Sequence, residues 1–87
     1  MTRVFIPSQL YSYTGGATQV EAEGATIGLV LEDLDRLYPG IRFRVIDEQD
    51  RVRRHIRLFV GREPATDVRA PMREGDELLI FGALSGG

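Results

Sequence analysis

Cysteine, lysine and tryptophan are absent from this 87-residue sequence, and histidine occurs once, at His55. Without cysteine the chain has no disulfide, no thiolate nucleophile and no thiolate ligand for a metal. Without lysine it has no side-chain ammonium to accept an acyl group, since all 11 basic residues are arginine. His55 has no paired acid at ligand spacing, so we expect neither a metal site nor a catalytic residue in this chain.

Composition and charge indicate one small soluble domain. Hydrophobic residues make up 43% of the sequence and charged residues 28%, which is ordinary for a globular protein. The formal net charge of −2 disfavours nucleic acid and anionic membranes as partners. No apolar run approaches the roughly 20 residues that a membrane span needs, and no signal peptide opens the chain, so we expect a cytoplasmic protein.

The sequence predicts one main helix, beginning at Ile27 after the suitable N-cap Thr26 and ending at Pro39-Gly40. Its acidic residues lie near the opposite face from its apolar stripe, and we interpret them as solvated rather than as a metal or acid/base site. The apolar stripe at helical spacing consists of Ile27, Val30, Leu31, Leu34 and either Leu37 or Tyr38.

Strands are predicted on both sides of this helix, because apolar and polar residues alternate there. The first strand is followed by a connector at residues 8–13, and residues 41–46 fit either a short helical turn or an edge strand. The order strand, strand, helix, strand, short strand, strand predicts a sheet covered by the helix on one face. The predicted strand segments are 3–7, 18–23, 55–60, 65–70 and 77–81.

A single helix leaves the second face of such a sheet uncovered. Alternation places four apolar residues and one arginine on that face: Phe5, Phe59, Leu79, Phe81 and Arg57. An exposed aromatic cluster rimmed by charge is typical of a binding surface, so we predict that these residues dock a partner protein. The alternative is that the connector after the first strand folds over them.

The region between the helix and the third predicted strand is locally basic. Nucleic-acid binding would require more net positive charge and aromatic stacking platforms. We therefore interpret the region as an electrostatic docking patch for an acidic partner. Its arginines are Arg42, Arg44, Arg51, Arg53, Arg54 and Arg57.

The last residues differ in composition from the rest of the chain, and we expect a folded domain at residues 1–82 and a flexible tail at 83–87. Glycine has no Cβ, so a Gly-Gly segment can lie extended in a channel too narrow for side chains. Such a tail can carry the α-carboxylate of Gly87 into the active site of another protein, with Leu84, Ser85 and Gly86 threading the channel.

Three motifs together resemble the bacterial ubiquitin-like sulfur carrier proteins, over essentially the whole chain. The motifs are Gly24-Ala25-Thr26-Ile27-Gly28, Leu37-Tyr38-Pro39-Gly40, and Gly75-Asp76-Glu77-Leu78-Leu79-Ile80 leading to Gly86-Gly87. This family includes the molybdopterin synthase small subunit, the thiamine-pathway carrier and the carrier that feeds cysteine synthase. The long segment 41–54 looks most like the last of these. The resemblance implies an α+β fold of the β-grasp type, a mixed sheet of four to five strands packed on one main helix.

The resemblance also implies a function. In this family an ATP-dependent, E1-like adenylating enzyme activates the C-terminal carboxylate, here that of Gly87, and sulfur then replaces the adenylate. The resulting thiocarboxylate donates sulfur to an enzyme that makes cysteine, a thiosugar or other secondary metabolite, or a cofactor. The protein would be a co-substrate rather than an enzyme, with no bound cofactor.

Other functions stay open at this point. The chain could be a molybdopterin synthase small subunit, a ubiquitin-like modifier conjugated through Gly87 to a lysine of a target, or a plain interaction domain that uses only its sheet face. Two positions depart from the family pattern: Gly82 stands where proline is common, and Ser85 where alanine is common.

Overall fold

The computed structural model describes residues 1–82; the predicted tail, with Leu84, Ser85, Gly86 and Gly87, lies outside the described residues. Two α-helices and one 3-10 helix accompany the strands. The elements in chain order are β1 (Thr2–Phe5), the 3-10 helix Ser8–Tyr13, β2 (Gln19–Ala22), α1 (Ile27–Leu37), α2 (Ile41–Val45), β3 (Ile56–Val60), β4 (Glu63–Ala65) and β5 (Glu77–Gly82).

The strands form one mixed five-stranded sheet in the order β2-β1-β5-β3-β4. The central pair, β1 and β5, is parallel, whereas the other neighbours are antiparallel. The turn between the 3-10 helix and β2 contains Gly15 and Gly16, both with positive φ, a conformation that glycine adopts without steric cost. The predicted mixed sheet with one main helix is confirmed.

The core lies between α1 and one face of the sheet. Leu37, one of the two candidates for the end of the apolar stripe, is 42% exposed, whereas Tyr38 packs against the core. Helix α1 therefore uses Tyr38 for its last apolar contact. The buried residues of α1 are Ile27, Val30, Leu31 and Leu34, and those of the strands include Val4, Ile56, Leu58, Leu78 and Ile80.

Helix α1 begins and ends with side-chain contacts to the backbone. The Thr26 hydroxyl accepts a hydrogen bond from the Leu29 N–H at 3.2 Å, as expected of an N-cap. Asp35 accepts the N–H groups of Gly40 and Arg42 at 3.0 and 3.1 Å, which joins α1 to α2.

A second acidic residue of α1 also has a structural role. Asp33 accepts the Glu23 N–H at 2.9 Å and pairs with Arg36 at 2.8 Å, and this backbone hydrogen bond is the main reason that its pKa lies below the usual value. The interpretation of the helix acids as merely solvated was thus wrong for Asp33 and Asp35, because Asp33 binds the N–H group just after β2 and Asp35 binds two N–H groups at the start of α2.

In three segments the structure either differs from the predicted elements or decides between alternatives that the sequence left open. The connector 8–13 is a 3-10 helix whose Leu10 is buried in the core. Residues 41–45 form a short helix, α2, which decides between the two structures left open. The fourth strand lies at 63–65 rather than 65–70, because the chain after Ala65 turns away to cover the start of α1.

The segment after β4 satisfies backbone donors at the start of α1. The Ile27 N–H donates to the Ala70 carbonyl at 3.1 Å, and the Gly28 N–H donates to the Val68 carbonyl at 2.8 Å. Both N–H groups lie in the first turn of the helix, where no intrahelical acceptor is available to them. Within this segment, hydrogen bonds from Arg69 hold the pKa of the Asp67 carboxyl at about 2.

The two glycines of the first motif should respond in opposite ways to alanine. A Cβ at Gly24 would lie 2.4 Å from the Val30 backbone nitrogen, whereas one at Gly28 would meet Val68 at an ordinary 3.4 Å. Gly24→Ala should therefore lower the free energy of unfolding by about 1–3 kcal/mol through overpacking. Gly28→Ala should raise it by roughly 0.5 kcal/mol through helix propensity. Urea unfolding of both variants measures this, and equal effects would contradict the packing seen at Gly24.

Candidate functional site

The predicted docking residues come together on the sheet face opposite α1. Phe5 and Phe59 both pair with Leu79, from the strands on either side of β5. One step along, Arg57 pairs with Phe81. The residues that alternate with them on β3 and β5 are buried in the core, so this set points away from the helix. We call the surface of Phe5, Arg57, Phe59, Leu79 and Phe81 the outer face.

The outer face is open at its centre. Phe81 is 49% exposed, Arg57 is exposed, and Phe5, Phe59 and Leu79 are half-buried. The rings of Phe59 and Phe81 meet edge to face, with centroids 5.6 Å apart, an arrangement that aromatic pairs prefer. The alternative, that the 3-10 helix covers the cluster, does not hold for Phe81.

Polar residues border the apolar centre of the outer face. Arg3 pairs with Glu77 at 3.2 Å at the start of β5. Near the end of β5, the guanidinium of Arg57 donates to the carbonyls of Arg54 and Ile56 at 2.9 and 3.0 Å, which orients it on the surface. An apolar centre with a polar rim is the usual anatomy of a protein interface.

Sequence reasoning noted Gly82 as a departure from the family pattern but missed the contact between Gly82 and Gln9 near the end of β5. Gly82, the last described residue, pairs with Ile56, and a Cβ added to it would lie 2.5 Å from the side-chain nitrogen of Gln9. Gly82 thus lets Gln9 approach the point where β5 ends. No pattern in the sequence connects these residues, because the 3-10 helix that carries Gln9 is placed by tertiary packing.

The structure offers few groups for chemistry of its own. Within residues 1–82, no group of three or more histidine, cysteine, aspartate or glutamate side chains could hold a metal ion. A helix of the length and apolar character that a membrane crossing requires is also not found in this part of the chain. The outer face and the end of β5 are the features of this structure that bear on the functions predicted from the sequence.

Comparison with known proteins now identifies the family. The sequence model of the ThiS family matches residues 4–87. The chain belongs to the ThiS family. Sulfur carrier protein CysO of Mycobacterium tuberculosis H37Rv is 35% identical over 92 residues, covering 97% of this chain and 96% of the relative. The same protein of Mycobacterium bovis matches equally well.

Solved structures agree with this assignment. A chain of the Amycolatopsis orientalis BexX/CysO complex matches with a TM-score of 0.91 and 33% identity, and each chain covers 100% of the other. Mycobacterium tuberculosis CysO matches with a TM-score of 0.90 and 30% identity, over 97% of this chain and 100% of that one. Haloferax volcanii SAMP1 matches with a TM-score of 0.77 and 27% identity, over 99% and 98%.

These similarities confirm the main expectations drawn from the sequence. The β-grasp, ubiquitin-like fold is confirmed, and so is the resemblance to the cysteine-synthase type of carrier. The curated relatives are named as sulfur carrier proteins, and such ThiS-family proteins are carriers rather than enzymes. The docking role of the outer face and the role of the tail stay predictions.

The exposure of Phe81 makes a prediction about stability. Phe81→Asp should lower the free energy of unfolding by only about 0.5–1.5 kcal/mol, because it loses one edge-to-face contact and little burial. Ile80→Asp, one residue away and 2% exposed, should prevent stable folding, because it would bury a carboxylate in the core. Thermal unfolding by circular dichroism compares the two. A similar collapse of both variants would mean that Phe81 belongs to the core.

Proposed function

We propose that this protein carries sulfur as a thiocarboxylate on Gly87 and delivers it to a biosynthetic enzyme. The observation that carries the proposal is the ThiS family match over residues 4–87, which includes Gly86 and Gly87. The 35% identity to a sulfur carrier protein over 97% of the chain supports it. A chain without cysteine or lysine suits the role, because the carrier contributes its carboxylate and no side-chain nucleophile.

The chemistry needs two steps at the Gly87 carboxylate. A carboxylate oxygen attacks the α-phosphorus of ATP, pyrophosphate leaves, and an acyl-adenylate forms. Hydrosulfide from a sulfur source then attacks the acyl carbon, and AMP leaves with the electrons of the broken C–O bond. The product is the thiocarboxylate, which is nucleophilic at neutral pH. ATP is used by an E1-like adenylating enzyme, and this chain binds no cofactor of its own in the proposal.

The position of β5 supports the proposal, because this strand contributes to the outer face and ends at the last described residue. Strand β5 carries Leu79 and Phe81 on the outer face and ends at Gly82, directly before residues 83–87. An enzyme that grips the outer face therefore holds the chain one residue before the tail. Leu84, Ser85 and Gly86 would then thread the channel that leads to the reacting atoms.

Partner proteins are part of the proposal. The similar CysO chain of Amycolatopsis orientalis was crystallised in a complex with BexX, so a relative with this fold binds a protein partner. For this chain we propose two partners, the adenylating enzyme and a sulfur-accepting enzyme of cysteine, thiosugar or cofactor synthesis. Both belong to the cytoplasm, and neither nucleic acid nor membrane is required.

A second candidate is conjugation of Gly87 to a lysine of another protein. The similarity to Haloferax volcanii SAMP1, a small archaeal modifier protein, at 27% identity favours this alternative. It shares the adenylation step and differs in the nucleophile, which is a target amine in place of sulfur. Self-conjugation through a lysine is excluded, because this chain has none.

Intact-mass measurement tests the proposal. The protein is incubated with ATP, a sulfur source and a candidate E1-like adenylating enzyme. We expect a mass gain equal to the exchange of one oxygen for one sulfur, confined to the C-terminal peptide. Deletion of Gly87 should abolish the gain while the thermal unfolding curve stays unchanged, because we expect Gly87 to belong to a tail outside the folded domain.

Two outcomes would contradict the proposal. A Gly87-deleted protein that still gains sulfur would remove the carboxylate from the reaction. Stable conjugates of higher mass in cell extract, without any sulfur exchange, would favour the second candidate function, conjugation of Gly87 to a target lysine. The same extract blotted for the deleted protein is the control.

The outer face should matter for activation as well. Phe81→Asp should raise the KM of the adenylating enzyme for the carrier by about tenfold or more, as expected when a central interface aromatic is lost. Leu29→Asp is the matched control, because Leu29 is 46% exposed on α1, which lies on the opposite side of the sheet from the outer face. Steady-state pyrophosphate release measures both variants. An equal effect of the two substitutions would mean that the outer face has no special role.

A further inference from the structure

A cleft of about 300 Å³ opens beside the outer face, between residues 51–54 and β4. Four arginines are among its lining residues, and apolar groups form most of its exposed wall. We call it the arginine cleft, defined by Arg51, Arg53, Arg54, Arg57, Phe59 and Pro64. We propose that the arginine cleft binds a carboxylate-rich segment of the adenylating enzyme, an inference that rests on the proposed function.

The cleft exists because β4 is short. Strand β4 pairs with Leu58, Phe59 and Val60, and it stops before the first two residues of β3. Residues 51–54 approach from the other side, where the Arg51 backbone bridges to Asp67. The space between them is open to an extended segment of a partner.

The charge of the cleft is positive and incompletely paired. Residues 51–57 contain four arginines and no acid, in a chain whose net charge is −2. Arg51 pairs with Asp47 at 3.6 Å. For Arg53, Arg54 and Arg57, no carboxylate of residues 1–82 lies within ion-pair distance.

Hydrogen bonds to the backbone hold two of these arginines without neutralising them. The Nε of Arg53 donates to the Phe43 carbonyl, and Arg57 donates to the carbonyls of Arg54 and Ile56. A guanidinium keeps free N–H groups after one or two such bonds, since it has five donors. Carboxylates match these remaining donors in both geometry and charge.

The lining favours an acidic protein segment over nucleic acid. Phe59 and Pro64 give the cleft an apolar wall, which suits an aliphatic side chain between carboxylates. Nucleic-acid binding would require a broader basic surface with several stacking platforms. In this chain the positive charge is local, and the rest of the sequence carries the excess of acid.

The cleft lies where a tail-binding enzyme must approach. Arg57 is paired with Phe81, and Ile56 with Gly82, so the cleft borders the end of β5. Opposite charges at such a rim steer association and set the orientation of the partner. The arginine cleft would thus align the enzyme while the outer face supplies apolar contact.

A peptide-binding experiment tests the cleft without any enzyme. The probe is a fluorescein-labelled decapeptide of alternating glutamate and valine, titrated with the full chain and followed by anisotropy. The double variant Arg54→Glu with Arg57→Glu should bind it about tenfold more weakly or worse. The matched control, Arg62→Glu with Arg73→Glu, makes the same change in net charge at exposed residues outside the cleft and should lose less than about twofold. Thermal unfolding of every variant excludes loss of fold as the cause of weaker binding. The single variant Arg54→Glu serves as a further check.

The outcomes separate this inference from the proposed function. Deletion of Gly87 should leave peptide binding unchanged while abolishing the gain of sulfur. The peptide-binding test and the sulfur-gain test can therefore each fail while the other succeeds. Equal losses of peptide affinity in the two double variants would mean that only net charge matters, which would overturn the proposed role of the cleft. Failure of the wild-type chain to bind the peptide, or tighter binding to a single-stranded oligonucleotide than to the peptide, would overturn it too. With the adenylating enzyme, an unchanged KM for the Arg54→Glu, Arg57→Glu carrier would have the same meaning.

Discussion

The structure depends on one helix burying one face of a five-stranded sheet. Four residues of α1 fill the core against alternating residues of the strands, and α2 is too short to cover a second layer. The opposite face must then meet solvent or a partner. Because side chains alternate along a strand, the residues between the core positions are forced onto that face. In this chain they include Phe59 and Phe81, whose rings meet edge to face on the outer face.

The central parallel pair then determines what the outer face can do. Strands β1 and β5 come from the two ends of the domain, and their pairing places Phe5 beside Leu79. It also puts the end of β5 in the middle of the sheet, flanked by β1 on one side and β3 on the other. A partner that binds this surface therefore meets the residue that precedes the tail. In the proposed function, this geometry would bring the end of β5 to the enzyme that binds the outer face.

Much of the fold could be predicted because its signals are local. The Thr26 cap, the apolar stripe of α1 and the alternation in β3 and β5 each depend on neighbours within a few residues. Predictions failed where hydrogen bonds between neighbouring elements decided. Strand β4 and the acids Asp33 and Asp35 were misjudged because no residue pattern marks their pairing with β3 or with backbone N–H groups of adjacent segments.

The candidate site divides in the same way. By itself the sequence determined the fold class, the family, the set of residues on the outer face and the expectation that Gly87 carries the chemistry. These follow from residue type, period and motif, which are properties of short stretches of chain. The tertiary structure alone decided the exposure of Phe81, the approach of Gln9 to Gly82, and the cleft that the arginine-rich segment 51–57 forms with β4. Such features arise when segments distant in sequence pack together, because the register and length of β3, β4 and β5 determine which side chains meet.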